Sequence, residues 1–138
     1  MSLVWREQLS VGNDSIDSDH KHLIEIVNLA EHSLLAKSRA ELTSVLAQLL
    51  QYSKVHFSRE EKFASAVGYP DVEVMHASHE ALIDKLQQIT QELDGNLKTS
   101  VVEGFVTFLR EWLVNHVIKE DMLLKPYFVK RSPSFTPD

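Results

Sequence analysis

The chain contains no cysteine, which excludes disulfides, thiolate metal sites and thiol nucleophiles. Any bound metal ion would therefore need nitrogen and oxygen ligands. Glycine and proline are also scarce, with four of each among 138 residues, and two of the prolines fall within the last six positions. Because these two residue types interrupt helices, their scarcity favours long helices and predicts an all-α protein.

Long apolar runs and basic stripes are missing as well. No apolar run approaches the about 20 residues that cross a bilayer, and the amino terminus does not resemble a signal peptide, so we expect a cytoplasmic protein without a membrane partner. The net charge is -6 and the 14 Lys and Arg residues are scattered, which argues against nucleic acid as a partner. The length and the 43% hydrophobic content predict a single domain over residues 1–138.

Apolar residues repeat at three- and four-residue steps over four stretches, which predicts four helices. Residues 1–17 lack this period and predict an extended arm that Val4 and Trp5 anchor. Ser18 or Asp19 is expected to cap the first helix, which runs to about residue 37. The later boundaries are expected at the Ser38 cap of the second helix, at Gly68-Tyr69-Pro70, at the turn Asp94-Gly95-Asn96 and at Pro126.

Short connections between these helices predict an antiparallel, up-down-up-down four-helix bundle. We expect the bundle to cover residues 18–128 and to be followed by a loosely held tail, residues 129–138. In such a bundle, residues near the start of one helix face residues near the end of the next. Polar residues on the apolar stripes can therefore meet at one end of the molecule.

Each predicted helix carries a histidine on its apolar stripe. His56 and Glu60 are four residues apart, so both lie on one helical face and can reach the same ion. Burying several imidazoles with a carboxylate costs several kcal/mol unless a cation compensates them, which favours a metal site. The alternative is a set of core histidines hydrogen-bonded to the backbone or to one another. The residues expected to point inward at this end are His20, His56, Glu60, His79 and His116.

Asp121 is a less obvious member of this group. It follows His116 by five residues, which places it about 140° further round a regular helix. The last helix would have to loosen or turn for both side chains to point inward. On spacing alone, Asp121 would be a solvated acid in the run Lys119-Glu120-Asp121.

Several motifs, in this order and spacing, resemble the bacterial hemerythrins between residue 5 and about residue 128. The matching segments are Trp5 with Leu9-Ser10-Val11-Gly12, Asp17-Ser18-Asp19-His20-Lys21, His56-Phe57-Ser58-Arg59-Glu60-Glu61, Gly68-Tyr69-Pro70, and Trp112-Leu113-Val114-Asn115-His116 with Asp121. The resemblance implies two non-haem irons, joined by an oxo or hydroxo bridge, that bind O2 reversibly.

The same resemblance implies a role for each matching residue. His20 and His56 would ligate the first iron, and His79 and His116 the second. Glu60 and Asp121 would bridge the pair, Leu113 would line the O2 pocket, and Trp112 would pack beside it. Imidazole and carboxylate ligands suit iron, although on ligand type alone they also admit Mn and Zn.

The chain departs from the family pattern at position 75, where a ligand histidine is expected and Met75 stands. A thioether prefers softer metals, so we expect Met75 to pack beside the site. His76 could compensate if the third helix turned slightly or bulged; otherwise it is a partly exposed histidine at the edge of the bundle. His22 and His32 are expected to face away from the site.

These observations favour an O2 carrier, store or sensor over an enzyme, since no catalytic motif accompanies the site. The missing histidine leaves open an enzyme or scavenger acting on peroxide, NO or O2. A bundle that has partly lost its metal and acts as an interaction module is a third possibility. We expect a monomer or a weak homo-oligomer, and the sequence indicates no particular protein partner.

Overall fold

Four helices form an antiparallel, up-down-up-down bundle in the structure, a computed structural model that describes residues 3–93 and 98–137. The first three are α1 (Asp14–Leu35), α2 (Arg39–Ala66) and α3 (Val72–Leu93). Neighbours along the chain pack together, and α1 also packs against the fourth helix, which closes the bundle. The all-α prediction is confirmed. The expected turn Asp94-Gly95-Asn96 lies outside the described residues.

The fourth bundle helix is a continuous run of helical segments with changing pitch. It starts as α4 (Thr99–Glu111), widens into a π-helical segment (Trp112–Ile118), returns to α-helix in α5 (Lys119–Asp121), tightens to a 3-10 turn (Met122–Leu124) and ends with α6 (Lys125–Phe128). Pro126 lies in the first turn of α6, where its missing N–H costs little, so it does not end the helix as predicted. None of the helices described is long and apolar enough to span a bilayer.

Helix α1 starts earlier than the sequence predicts. The Asn13 side chain caps it by accepting hydrogen bonds from the backbone N–H groups of Ser15 and Ile16, each at 3.1 Å. Gly12 precedes the cap with φ +85°, a conformation that glycine adopts without strain. Ser18 and Asp19 therefore lie within the helix, and the predicted cap at either residue is wrong.

The arm before α1 is held differently from the prediction. Val4 is 70% exposed and anchors nothing, whereas Trp5 packs partly buried against the core. The Asn28 side chain exchanges two hydrogen bonds with the Leu3 backbone, at 2.8 and 2.9 Å. Val11 is fully buried near the start of α1.

The turn between α2 and α3 follows the prediction at Gly68-Tyr69-Pro70. Gly68 has φ +80°, and the Tyr69 N–H donates to the Ala64 carbonyl at 2.9 Å. This pattern satisfies the last carbonyl groups of α2 and reverses the chain.

The tail after the fourth bundle helix is not loose. The Pro133 carbonyl accepts from the Asp14 N–H at 2.8 Å, and the Phe135 carbonyl accepts from the Asn13 side chain at 2.9 Å. The Phe135 ring also packs edge-on to Phe63, with ring centres 6.3 Å apart. The expectation of a loosely held tail is therefore wrong for these residues.

Two apolar clusters fill the bundle, and a polar layer separates them. The larger cluster occupies most of the interior, and the smaller one closes the end where α1 starts and α2 ends. Each helix passes from the smaller cluster through the polar layer into the larger one. In that order, the sequences of residues are Ile16, His20, Leu23 on α1; Phe63, Glu60, His56, Leu49 on α2; Met75, His79, Leu82 on α3; and Leu124, Asp121, Ile118 on the fourth bundle helix.

Candidate metal centre

Four buried side chains converge within the polar layer, and we call them the buried quartet: His20, His56, Glu60 and Asp121. One ligand atom from each lies within 4.8 Å of the others. All four are at most 1% exposed. The four residues come from three helices, so the fold and not local sequence brings them together. His20, His56 and Glu60 point inward as their helical spacing predicts, whereas Asp121 is buried with them although its spacing alone indicated a solvated acid.

The nitrogen and oxygen atoms of the buried quartet are close enough to share one ion. Asp121 Oδ2 lies 2.6 Å from His20 Nε2 and 3.2 Å from His56 Nε2. Glu60 Oε2 lies 3.2 Å from His56 Nε2 and 4.0 Å from His20 Nε2. Two imidazoles and two carboxylates form a set that suits iron, manganese or zinc.

Several polar atoms at this site are buried without a hydrogen-bond partner. They include His20 Nδ1 and both carboxylate oxygens of Glu60. Such atoms normally cost free energy, and a cation among them would satisfy the Glu60 oxygens. The residues present therefore fit a metal ion held by the buried quartet.

The charges within the buried quartet also favour a cation. Burial and the neighbouring Asp121 carboxylate raise the pKa of Glu60 to about 7. Burial would raise the pKa of Asp121 too, but its close contacts with Glu60, His20 and His56 hold it below its ordinary value. Without a cation, one carboxylate of the pair thus holds its proton up to near-neutral pH.

Asp19 fixes the orientation of the His56 ring. Asp19 Oδ2 lies 2.9 Å from His56 Nδ1, which leaves Nε2 facing the buried quartet. The other oxygen, Oδ1, accepts from Tyr52 Oη at 2.8 Å and from the Arg59 guanidinium. Although burial raises the pKa of Asp19, the bonds from His56, Tyr52 and Arg59 lower it overall, so the carboxylate stays ionised. Carboxylates commonly orient metal-bound histidines in this way.

His79 borders the buried quartet from α3, as predicted. Its Nε2 lies 3.2 Å from Glu60 Oε1, and its Nδ1 lies 2.8 Å from Glu61 Oε2. The ring stacks on Phe57, with ring centres 4.1 Å apart and planes 7° from parallel. These contacts hold His79 with one nitrogen aimed at the carboxylate that His56 also faces.

His116 lies outside this group, contrary to the prediction that it points inward. It is exposed in the cleft between α3 and the fourth bundle helix, with Ser78 and Glu120 among its neighbours. The π-helical segment that contains it turns less per residue than an α-helix and brings Asp121, five residues later, into the polar layer. The predicted loosening of this helix is thus present, but it buries Asp121 and leaves His116 outside.

A sequence model of one family, described as the hemerythrin HHE cation binding domain, matches residues 11–128. The chain belongs to the hemerythrin family. This assignment agrees with the resemblance of its motifs. The family description is that of a cation-binding domain, and the buried quartet lies inside the matched region.

Several relatives agree with the hemerythrin assignment, and a solved structure shares the fold. Bacteriohemerythrin from Clostridium acetobutylicum is 24% identical over 86% of this chain and 95% of its own length. Bacteriohemerythrin from Methylococcus capsulatus is 29% identical over 80% and 83%, and a hemerythrin-like protein from Naegleria gruberi is 30% identical over 88% and 89%. A crystal structure of hemerythrin with a leucine-to-tyrosine substitution shares the fold with a TM-score of 0.76, at 24% identity over 91% and 96% of the two chains.

Met75 stands where the hemerythrin pattern expects a histidine, and the structure places it with the smaller apolar cluster. It is partly buried one turn before His79, in agreement with the expectation that it packs beside the site. His76 does not approach the buried quartet. Its side chain is 58% exposed, with Nδ1 2.7 Å from Glu61 Oε1 and Nε2 3.0 Å from Glu80 Oε1. This arrangement does not support His76 as a metal ligand in place of the histidine that is absent at position 75.

Trp112 and Leu113, expected from the hemerythrin resemblance to border an O2 pocket, are both buried in the larger apolar cluster. The Trp112 indole N–H donates to the Leu82 carbonyl at 3.0 Å, which ties the π-helical segment to α3. Their contact with O2 stays a prediction. His22 and His32 are exposed, as expected.

Sequence reasoning missed Asp19 and Glu61 as partners of histidines in this hemerythrin. Both residues adjoin a predicted ligand in the chain, Asp19 before His20 and Glu61 after Glu60. Each nevertheless contacts a histidine on a different helix. Only the packing of α1 and α3 against α2 reveals these pairs, although two acidic residues beside ligand positions could have prompted the question.

Proposed function

We propose that this hemerythrin is a non-haem iron protein that binds O2 reversibly at a two-iron centre. The convergence of two imidazole nitrogens and two carboxylate oxygens in the closed interior of the bundle is the observation that carries the proposal. Reduced iron at this place would supply the electrons that hold O2, and an oxo or hydroxo bridge would join the two ions. The protein would serve as an oxygen carrier, store or sensor.

Glu60 is suited to bridge two ions because its oxygens face two different histidines. Oε2 lies 3.2 Å from His56 Nε2, and Oε1 lies 3.2 Å from His79 Nε2. One ion would be held on the side of the buried quartet, and a second on the side of His79. Asp121 would join Glu60 in bridging, and His116 would join His79 only if its side chain turned inward.

A small ligand can approach His79 from the surface. A cleft of about 320 Å³ between α2 and α3 is lined by Phe57, Glu61 and His79, among others. Phe57 covers one face of the His79 ring, and the buried Trp112 lies near Phe57, with ring centres 6.4 Å apart. These buried aromatic side chains would exclude water from the centre behind the polar rim of the cleft.

The test is an anaerobic reconstitution with Fe(II), followed by exposure to O2 and then to argon. We expect absorption bands to appear with O2 and to disappear under argon over repeated cycles. His56→Ala and Glu60→Ala should lose bound iron while their helical circular dichroism persists. Irreversible oxidation in the first cycle, or full iron content in both variants, would contradict the proposal.

A second function is favoured by the environment of His79. Met75 offers no histidine at the expected position, and His116 is exposed, so few protein ligands surround a second ion. An ion with open coordination positions suits an enzyme or scavenger that reduces peroxide, NO or O2. Steady consumption of O2 or peroxide by the iron-loaded protein with an added reductant would favour this function over reversible binding.

A further inference from the structure

We infer that the two metal positions are unequal in this chain: the buried quartet binds one divalent cation tightly, and the position beside His79 binds a second only weakly. This inference rests on the proposed function, because it concerns the same centre. It predicts that the protein holds one ion when metal is limiting. The following contacts distinguish the two positions.

The buried quartet is already assembled around one point. Its four ligand atoms come from three helices and lie within 4.8 Å of one another. Asp19 holds the His56 ring with Nε2 facing this point, and Asp19 is itself held by Tyr52 and Arg59. A cation that enters loses little free energy to rearranging these side chains, so binding there is favoured.

The position beside His79 has far fewer ligands in place. His79 Nε2 and Glu60 Oε1 are the ligand atoms that face each other there, 3.2 Å apart. Met75 lies on the neighbouring turn with the smaller apolar cluster, and His116 is exposed beyond the bundle interior. A second cation would have to complete its coordination with solvent or turn His116 inward, which requires movement of the fourth bundle helix.

The charges of the buried side chains also favour one tightly bound cation over two. The carboxylates of Glu60 and Asp121 together carry two negative charges, which one divalent cation neutralises. The next buried carboxylate, Asp19, is already paired with Arg59. Glu61 is hydrogen-bonded to His79 and His76 at the rim. A second divalent cation would therefore need negative charge from a solvent-derived ligand such as the hydroxo bridge, because the buried side chains supply none, and this disfavours its binding.

The test is a titration of the metal-free protein with Fe(II) under argon, in competition with a chromophoric chelator. We expect the first equivalent to bind at least about 100-fold more tightly than the second, a difference of about 2.7 kcal/mol. His79→Ala should reduce the affinity for the first equivalent by no more than about tenfold, because His79 contacts the buried quartet through Glu60 alone. His20→Ala should reduce that affinity by at least about 100-fold. His32→Ala, an exposed change further along α1, should alter neither affinity.

Met75→His gives a complementary test that does not depend on removing a buried ligand. A histidine at this position would share a face of α3 with His79, so it should strengthen the second equivalent by at least about tenfold and leave the first unchanged. Met75→Leu serves as its control, because it fills similar volume without offering a ligand. Circular dichroism of each variant shows whether it has folded.

Some results would overturn the inference while leaving the proposed function intact. Two equivalents of equal affinity in wild type would do so, as would a His79→Ala effect on the first equivalent as large as that of His20→Ala. A folded Met75→His variant with unchanged second affinity would also count against it. By contrast, unequal binding without any O2-dependent spectrum would uphold the inference and overturn reversible O2 binding.

Discussion

At the scale of single residues, the direction of the His56 ring depends on a carboxylate that does not belong to the buried quartet. Asp19 is 2% exposed and receives hydrogen bonds from groups on α2, including Tyr52 and Arg59. It therefore joins α1 to α2 through His56 as well as orienting the ring. The loss of its charge should weaken metal binding without removing a ligand.

Asp19→Asn should lower the affinity for the first metal equivalent by about 10- to 100-fold, because the amide can no longer hold His56 as a charged acceptor does. Chelator competition under argon measures this affinity. Asp14→Asn is the matched control, since Asp14 is an exposed acid in the first turn of the same helix. Equal affinities in wild type and Asp19→Asn would show that His56 is oriented without Asp19.

Glu60 should make the stability of the metal-free protein depend on pH. Its pKa rises from 4.5 to about 7 on folding, so the folded state binds the proton more tightly than the unfolded state does. The free energy of unfolding should therefore fall as the pH rises from 4.5 to 7, by up to about 3 kcal/mol from this group.

Glu60→Gln imitates the protonated carboxyl group and should remove this contribution. Asp121, His56 and His79 face Glu60 and also titrate, so the quantity to compare is the difference between wild type and variant. Urea unfolding of chelator-treated protein at several pH values measures it. A difference that stays constant between pH 4.5 and pH 7 would mean that Glu60 does not hold the proton.

At the scale of secondary-structure elements, the fourth bundle helix combines two tasks in different parts of its length. The π-helical segment Trp112–Ile118 changes the direction of the residues that follow and brings Asp121 into the polar layer. Earlier, in α4, Arg110 forms two hydrogen bonds with the buried carboxylate of Glu31 on α1, at 2.6 and 3.1 Å. This ion pair lies about three helical turns beyond His20 along α1.

Arg110→Ala should destabilise the bundle by about 2 kcal/mol, because it leaves the Glu31 carboxylate, 7% exposed, without its partner. The expected loss is at the low end for such pairs since Arg110 is itself 34% exposed. Urea unfolding measures the change. The double variant Arg110→Met with Glu31→Leu should recover most of it, and iron content should stay at the wild-type value in both proteins.

At the scale of the whole molecule, the bundle buries a polar layer between two apolar clusters. Metal binding should offset the free-energy cost of burying that layer and so stabilise the folded protein. A ligand that binds only the folded state adds about 2.7 kcal/mol to the free energy of unfolding when its free concentration is about 100 times its Kd. For a chain of this size, the thermal midpoint should rise by roughly 10 °C when metal is added in such excess. Calorimetry of wild type and His20→Ala checks this, and an equal rise in both would place the metal elsewhere.

The bundle and much of the candidate site could be predicted from the sequence. The inward polar residues follow the same three- and four-residue spacing as the apolar residues of their helices. His20, His56 and Glu60 are inward because they lie on those stripes. The prediction for His116 was wrong because it assumed regular α-helical spacing. The π-helical segment turns less per residue, so the residues that face inward are shifted along the chain. The cap at Asn13 was missed because Asp and Ser nearby are equally good caps, and contacts with the tail decide between them.

The hydrogen bonds between Asn13, Asp14 and the residues around Pro133 have a practical consequence for handling the protein. They hold residues 133–135 beside the start of α1, about two turns from His20. A label attached to these residues would lie close to the polar layer, and a run of added histidines could itself take up iron. The opposite end, at the turn around Lys37, is the better place to insert a label.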